Sequence, residues 1–316
     1  MKKFLINLGV FVILGYIVAL CCDIMISRGL RKMEEYRFQP WNEMMNGGME
    51  HDLLIMGNSR GLSHFNPIIL DSLLGVSSYC LGIGGYPLNA HILKYEMYAQ
   101  NNKKPKNIIY DVDCGTLSIN TFKHQHQSEQ FFPLVYNKFM RKQLLKNGFT
   151  YFDVYCPMVR YYGYQTVIKS GFMEFFHLKH YKDKTFYKGH SPNTGDWDGT
   201  ELNKMAIHRS EPDEKAVTIF EDFLQKCKNE DINVILVFSP IYSGGKEKIS
   251  NINEYNSYFQ MVSEKFGFNY LNYSENYDLC NDTSYFCVSV HLNPEGRDIF
   301  TTKLAHDIDS LGLLKK

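Results

Sequence analysis

Five short apolar runs, each followed or preceded by an amphipathic stretch of helical period, constrain this chain more than any other feature. Leu53-Leu54-Ile55-Met56 stops at Gly57. Val76–Leu81, Asn107–Val112, Asn233–Phe238 and Phe268–Leu271 follow the same pattern. Runs this short and largely apolar fit strands buried on both faces, as in a parallel sheet. Between them, Pro67–Leu74 has proline in its first turn and Gly75 after its end, a helix signature. Pro87–Gln100 continues as a helix. Val217, Phe220, Phe223, Leu224 and Cys227 fall on one helical face, as do Tyr255, Tyr258, Phe259, Val262 and Phe266. Phe300, Leu304, Ile308 and Leu311 line a last helix. Strands alternating with helices predict an open α/β fold with a five-stranded parallel sheet.

The N-terminus has a different character. From Leu5 to Cys22 there are 18 residues without a charge, preceded by Lys2 and Lys3. At about 1.5 Å per residue, a helix of that length nearly crosses a hydrocarbon core. Val18-Ala19-Leu20-Cys21-Cys22 offers no small-x-small cleavage site, which points to an uncleaved signal anchor at residues 1–32. Lys2 and Lys3 on one side nearly balance Arg28, Arg31 and Lys32 on the other. An anchor at the extreme N-terminus before a large domain usually exports that domain, so the body is expected outside the cytoplasm; the alternative is a cytoplasmic domain tethered to the inner face. Residues 33–50 read as a linker and 51–316 as the α/β domain, interrupted at about 116–210 by a segment rich in Tyr, Phe, His and Lys. That segment is too long for a plain loop and is expected to be a mainly helical cap over the carboxyl ends of the strands.

Composition narrows the partners. Lys and Arg total 34, as do Asp and Glu, with no basic run in the body, which argues against nucleic acid. The 22 Tyr and 22 Phe suit a large core and would also suit a carbohydrate surface. None of the eight cysteines forms a CxxC pair, so thiolate metal ligation is not expected. Cys80, Cys114 and Cys227 lie in apolar patterns and read as small core residues, whereas Cys280 and Cys287 are close enough to suggest a local disulfide. His124 and His126 read as a solvated pair rather than metal ligands, and neither metal nor cofactor is expected. Trp197, within Gly195-Asp196-Trp197-Asp198-Gly199, either stacks on a sugar or anchors a turn in the core. Tyr161, Tyr162 and Tyr164 either line the cap's inner face or simply pack.

Two local patterns could carry chemistry. Gly57-Asn58-Ser59-Arg60 follows the first strand, where a serine at a strand-to-helix turn is exposed at the carboxyl edge of the sheet. His291-Leu292-Asn293-Pro294-Glu295-Gly296 precedes the last helix, where a histidine can return to that edge and serve Ser59 as base.

Together and in this order, these blocks resemble the SGNH (GDSL-type) hydrolase family over roughly residues 50–115 and 211–316, in particular its membrane-anchored bacterial members. The resemblance implies a flavodoxin-like three-layer α/β/α sandwich. It also implies Ser59 as nucleophile, His291 as base, and an oxyanion hole from the N–H groups of Ser59 and Gly85, with Gly82 as rival, in Leu81-Gly82-Ile83-Gly84-Gly85. Arg60 and Asp113 are then candidates for substrate binding, although Arg60 could instead form a structural ion pair. Two positions depart from the family pattern. Asp111-Val112-Asp113-Cys114-Gly115 lacks the usual Asn of the third block. Val288 stands where the family has its triad Asp, so either a Ser–His dyad operates, or Asp282 orients the ring, or the site is inactive. The resemblance implies an acyl esterase or O-acetyltransferase acting on cell-surface polysaccharide, with a membrane-bound O-acyltransferase as a candidate partner. The alternative is a degenerate module of the same fold that binds glycan or that partner.

Overall fold

A computed structural model describes residues 1–123, 125–275 and 278–315 of the chain. His124, half of the histidine pair read above, lies outside the described residues. The chain forms two compact units, one from 1–43 with 121–183 and one from 44–120 with 184–316.

The second unit holds the sheet. Strands β1 (Leu53–Met56), β2 (Ser78–Cys80), β3 (Asn107–Asp111), β4 (Asn233–Phe238) and β5 (Asn269–Asn272) lie in the order β2-β1-β3-β4-β5, and every neighbouring pair is parallel. All four residues of β1 and all five of β3 are buried, because helices cover both faces. On one face Leu53, Ile55, Cys80, Ile109, Ile235 and Val237 pack with Leu70 of the helix Pro67–Leu74 and with Phe300, Leu304 and Ile308 of the helix Pro294–Ser310. On the other, the Tyr110 ring meets Phe220 at 5.5 Å and Phe223 at 6.0 Å, both from the helix Glu214–Asn229. Tyr95 of Leu88–Asn101 and Phe259 of Ile252–Phe266 extend that layer. The result is the expected three-layer sandwich. β5 begins one residue later than the sequence pattern suggests, and its residues are only partly buried, as befits an edge.

The strand order reverses direction between β1 and β3, the place where open α/β sheets form their ligand crevice. Gly57 leaves β1 with φ +138°, and a Cβ on it would stand 2.9 Å from the Asp111 carbonyl oxygen at the end of β3. Only glycine meets both conditions.

The first unit contains the helix Lys2–Leu30, the one helix among the described residues long and apolar enough to cross a membrane. Its large apolar side chains from Phe4 to Val18 are exposed, and Asp23, Ile26, Ser27, Gly29 and Leu30 are buried. The Asp23 carboxylate is paired with Arg160 and accepts from Tyr136 Oη at 2.5 Å and Met158 N at 2.7 Å. The helix Gln165–Phe175 packs so closely on this segment that a Cβ on Gly171 would stand 2.8 Å from the Ile26 carbonyl oxygen.

Several expectations change here. The region read as a linker, 33–50, holds the helix Gln39–Asn46. Its Trp41 is buried on Phe131 and donates from Nε1 to Gln130 Oε1 at 2.9 Å, a contact 89 residues away that no local pattern announces. The segment read as one cap is divided between the units: 121–183 clusters with the N-terminal helix and 184–210 with the sheet. Tyr161, Tyr162 and Tyr164 line a cavity of about 860 Å³ inside the first unit. Cys280 and Cys287 are free thiols, the first donating to the Tyr273 carbonyl and the second to the His291 carbonyl.

Gly57→Ala is expected to destabilise the sheet unit by about 2 kcal/mol or more, since it adds a strained φ to a backbone clash. Urea unfolding of the purified variant checks this.

Candidate active site

The turn after β1 is built by its own side chains. Asn58 caps the five-residue helix Ser59–Ser63, its Oδ1 accepting from Arg60 N at 3.0 Å. Asn58 Nδ2 donates to Asp113 Oδ2 at 2.6 Å, so the loop after β3 holds the turn from the other side. Asp113 Oδ1 in turn accepts from Thr116 Oγ1 at 3.1 Å. Ser59 and His291 are both half-buried, and Ser59 Oγ stands 2.8 Å from His291 Nε2 across 232 residues of sequence.

His291 sits in a small hairpin, β6 (Phe286–Val288) antiparallel to β7 (His291–Leu292), and Val288 is its partner in the register. The position expected to hold an acid is therefore a valine paired with His291 across the hairpin, and an isopropyl group can accept no hydrogen bond from an imidazole. Asp282 does not fill the gap: it is exposed and caps the short turn Thr283–Tyr285, its carboxylate accepting from Ser284 N at 2.9 Å. Burial pushes the His291 pKa down to about 4, Arg60 adds to the shift, and Asp113 opposes it. The ring is neutral across the physiological range.

A second histidine, which the sequence reading missed, holds the first in place. His64 is fully buried. Leu292 N donates to its Nε2 at 3.1 Å, which leaves the ring proton on Nδ1, 3.0 Å from Ser239 Oγ. The two imidazoles meet edge to face at 5.9 Å. Burial holds His64 well below the usual histidine range, so it stays neutral and Nε2 stays an acceptor. His64 thus fixes the backbone next to His291. In the sequence it is one histidine in Leu62-Ser63-His64-Phe65, with nothing to mark it.

Of the glycines read as oxyanion candidates, Gly82 packs on the helix after Ser59, where a Cβ would stand 2.3 Å from Leu62 N. Gly85 has φ +74° and open space beside it, and Gly84, between them, is the one whose Cβ would touch the Ser59 side chain, at 3.6 Å. Residues 184–210 border the same edge. Ser191 N donates to the Leu62 carbonyl, Asn193 Nδ2 donates to Ser63 Oγ at 2.7 Å, and Glu201 accepts from Ser289 N at 3.2 Å. Trp197 lies against Tyr242 and Phe286 at the core, the turn-anchoring alternative.

Arg60, read either as a substrate contact or as a structural ion pair, is buried and forms the ion pair. Its guanidinium donates to the carbonyls of Ser239 at 3.3 Å and Val112 at 3.0 Å, pairs with Asp111 at 3.6 Å and Asp113 at 3.3 Å, and lies over the Phe238 ring at 4.8 Å. Those partners leave it no free edge for a substrate. Asp113, the other residue read as a substrate contact, spends its carboxylate on Asn58, Arg60 and Thr116. Burial raises the Asp111 pKa to about 6, against the pull of Arg60.

Neither a protein-family model nor a curated protein matches the chain. Among solved structures, a "putative acylhydrolase" from Bacteroides fragilis NCTC 9343 is similar at 13% identity and a TM-score of 0.39, over 86% of this chain and 94% of that one. A likeness this distant says nothing of the site's chemistry.

Arg60→Gln is expected to cost about 3–5 kcal/mol at pH 8, where it strands the buried Asp111 carboxylate. The loss should be smaller at pH 5, where Asp111 takes up a proton on its own. Urea midpoints at the two pH values test this. A second outcome concerns four histidines, three buried and His291 half-buried. His91 and His291 are held at about 4, His190 at about 3, and His64 is also lowered, each mainly by burial. Between about pH 4 and 6.5 the unfolded chain binds protons that the folded chain refuses, so stability should fall as pH drops through that window. Asp111, protonated in the folded state below about 6, and His180, raised by its bond to Glu174, oppose this, but they are two groups against four. A urea midpoint that stayed flat from pH 7 to 4.5 would contradict this balance.

Proposed function

We propose that this chain is a serine-dependent acyl-transfer enzyme of the SGNH type, an acyl esterase or O-acetyltransferase acting on cell-surface polysaccharide. One observation carries the reading: Ser59 Oγ and His291 Nε2 at 2.8 Å, both at the carboxyl edge of a parallel sheet. In the productive tautomer His291 carries its proton on Nδ1, and Nε2 accepts from Ser59 Oγ. As Oγ attacks an acyl carbonyl, its proton passes to Nε2 and the carbonyl π pair moves to oxygen. The N–H groups of Ser59 and of Gly84 or Gly85 are the candidates to receive that charge. Collapse expels the alcohol, which takes the proton from His291. Water or a sugar hydroxyl, deprotonated by the same nitrogen, then releases the acyl group from Ser59.

Arg60, Asp113 and His64 serve this reading as positioning residues: the first two hold the Asn58-Ser59 turn and the third holds the base. The N-terminal helix would anchor the protein in the cell membrane with the body outside the cytoplasm, beside glycan substrates and a membrane-bound O-acyltransferase.

Catalysis on this design is slow. A base at about 4 is far from the operating pH, and proton transfer is most effective when the two match. A triad that loses its orienting acid can lose about 10⁴ in rate. The same facts favour a second reading, a binding module of this fold for glycan or for the acyltransferase.

Ser59→Ala should abolish hydrolysis of acetyl esters while leaving the urea midpoint unchanged. Activity of the parent chain should stay level from pH 8 down to about 5 and fall off near pH 4, as His291 takes up its proton. Val288→Asp should raise kcat/KM and move that acid limb upward, since a carboxylate facing the ring stabilises the imidazolium. If Ser59 resists a fluorophosphonate at every pH and Ser59→Ala leaves the cell-surface acetylation unchanged, the binding reading replaces the catalytic one.

A further inference from the structure

The short helix Tyr151–Tyr155 is built inside out. Asp153 and Val154 are buried, the former closing a capping box with Thr150 and pairing with Lys123 at 2.7 Å. Its aromatic residues face outward, with Tyr151 72%, Phe152 69% and Tyr155 52% exposed. The Tyr151 and Tyr155 rings stack on each other at 6.0 Å. A helix of a water-soluble surface does the reverse, turning its rings in and its carboxylate out.

The location of this patch gives the exposure a cause. Tyr155, Tyr136, Arg141 and Pro157 line one small cavity together with Leu20 and Asp23 of the N-terminal helix. Asp23 is tied down by Tyr136, Arg160 and Met158. The exposed apolar run of that helix ends at Val18, five residues or about 7.5 Å before Asp23. The outward rings therefore sit where the helix passes from an exposed apolar surface into the protein body. Beside them the helix Lys138–Lys146 carries Lys138, Arg141, Lys142 and Lys146 and no acid. Met140 and Leu144 are its buried side, and Lys138, Lys142 and Lys146 have no carboxylate partner among the described residues. Arg141 lies over the Tyr155 ring at 5.3 Å.

We infer that Tyr136, Tyr151, Phe152 and Tyr155, with the basic helix Lys138–Lys146, form a collar that rests in the interface of the bilayer crossed by the N-terminal helix, its cations facing anionic headgroups. The inference rests on reading that helix as a membrane anchor. Aromatic rings with a polar edge settle at headgroup level, and basic side chains there are drawn to anionic lipid. The collar gives the unit a second attachment to the membrane, which fixes its tilt and rotation about the anchor where a single helix alone would leave both free.

The test uses the full chain reconstituted in vesicles of phosphatidylcholine with phosphatidylglycerol. Phe152→Trp places a reporter in the collar. Phe176→Trp places one at another exposed position of the same unit, next to Phe175, whose ring lies 5.8 Å from Lys32, just past the far end of the N-terminal helix. Emission is read against the parent chain, which already contains Trp41 and Trp197. The collar reporter should lose most of its added emission to brominated lipid and be sheltered from acrylamide, and the Phe176→Trp reporter should show the opposite. Omitting phosphatidylglycerol at low salt should weaken the lipid quenching of Phe152→Trp. The collar is overturned if Phe152→Trp is open to acrylamide and no more lipid-quenched than Phe176→Trp while the chain floats with the vesicles. Quenching indifferent to phosphatidylglycerol would overturn the part given to the basic helix. A chain that fails to float with the vesicles, or leaves them in alkaline carbonate, overturns the anchor reading itself.

Discussion

The buried guanidinium of Arg60 is the interaction on which the candidate site depends. It lies under the turn that follows β1 and reaches the residues at the ends of β3 and β4, binding the carbonyls of Val112 and Ser239 and the carboxylates of Asp111 and Asp113. An unpaired cation there would be very costly, and so would two unpaired acids; each is acceptable because the other is present. The consequence is mechanical. Three strand ends that would otherwise carry independent loops are pinned to one charged group, and Ser59 is the residue directly before it. Asp113 extends the same hold to Asn58, so both residues flanking Ser59 are fixed by the loop after β3.

His291 is held by a different device. His64 accepts from the amide beside His291 and donates to Ser239, which also supplies a carbonyl to Arg60. The two halves of the site are thereby joined through Ser239, at the end of β4. This arrangement positions the imidazole through its backbone. A triad acid would position it through its ring and would also stabilise its charged form. His64 does only the first of these, being itself neutral, and Arg60 nearby works against the second. The site combines good placement of the base with weak basicity, and the catalytic and binding readings divide on that combination.

Much of the fold was readable because it rests on short-range patterns. A short, largely apolar run, ended by glycine after β1 and by Ser-Pro after β4, has few ways to bury both faces, and β1, β3 and β4 lie where such runs predict. Ser59 and His291 stood out for a related reason: each follows or precedes a legible element, so a parallel sheet brings both to one edge. Residues whose meaning depends on a distant partner could not be read. Trp41 looked like linker until Phe131 and Gln130 were beside it. Arg60 stayed open between a substrate contact and a structural ion pair, because nothing in Gly57-Asn58-Ser59-Arg60 tells where its five N–H groups go. Asp282 looked like an available acid, and instead caps the turn it begins.

The sequence by itself determined the parallel sheet, the apolar N-terminal helix, and the absence of an acid at position 288. These follow from composition within a window of a few residues, where hydrophobic burial and backbone geometry leave little choice. Only the tertiary structure decided that the inserted segment is shared between two units, that Val288 pairs with His291 across a hairpin, and that His64 holds the backbone beside His291. Those outcomes depend on contacts between residues tens to hundreds of positions apart. The free energy of such a contact is a property of the pair and its burial, and neither partner carries it alone.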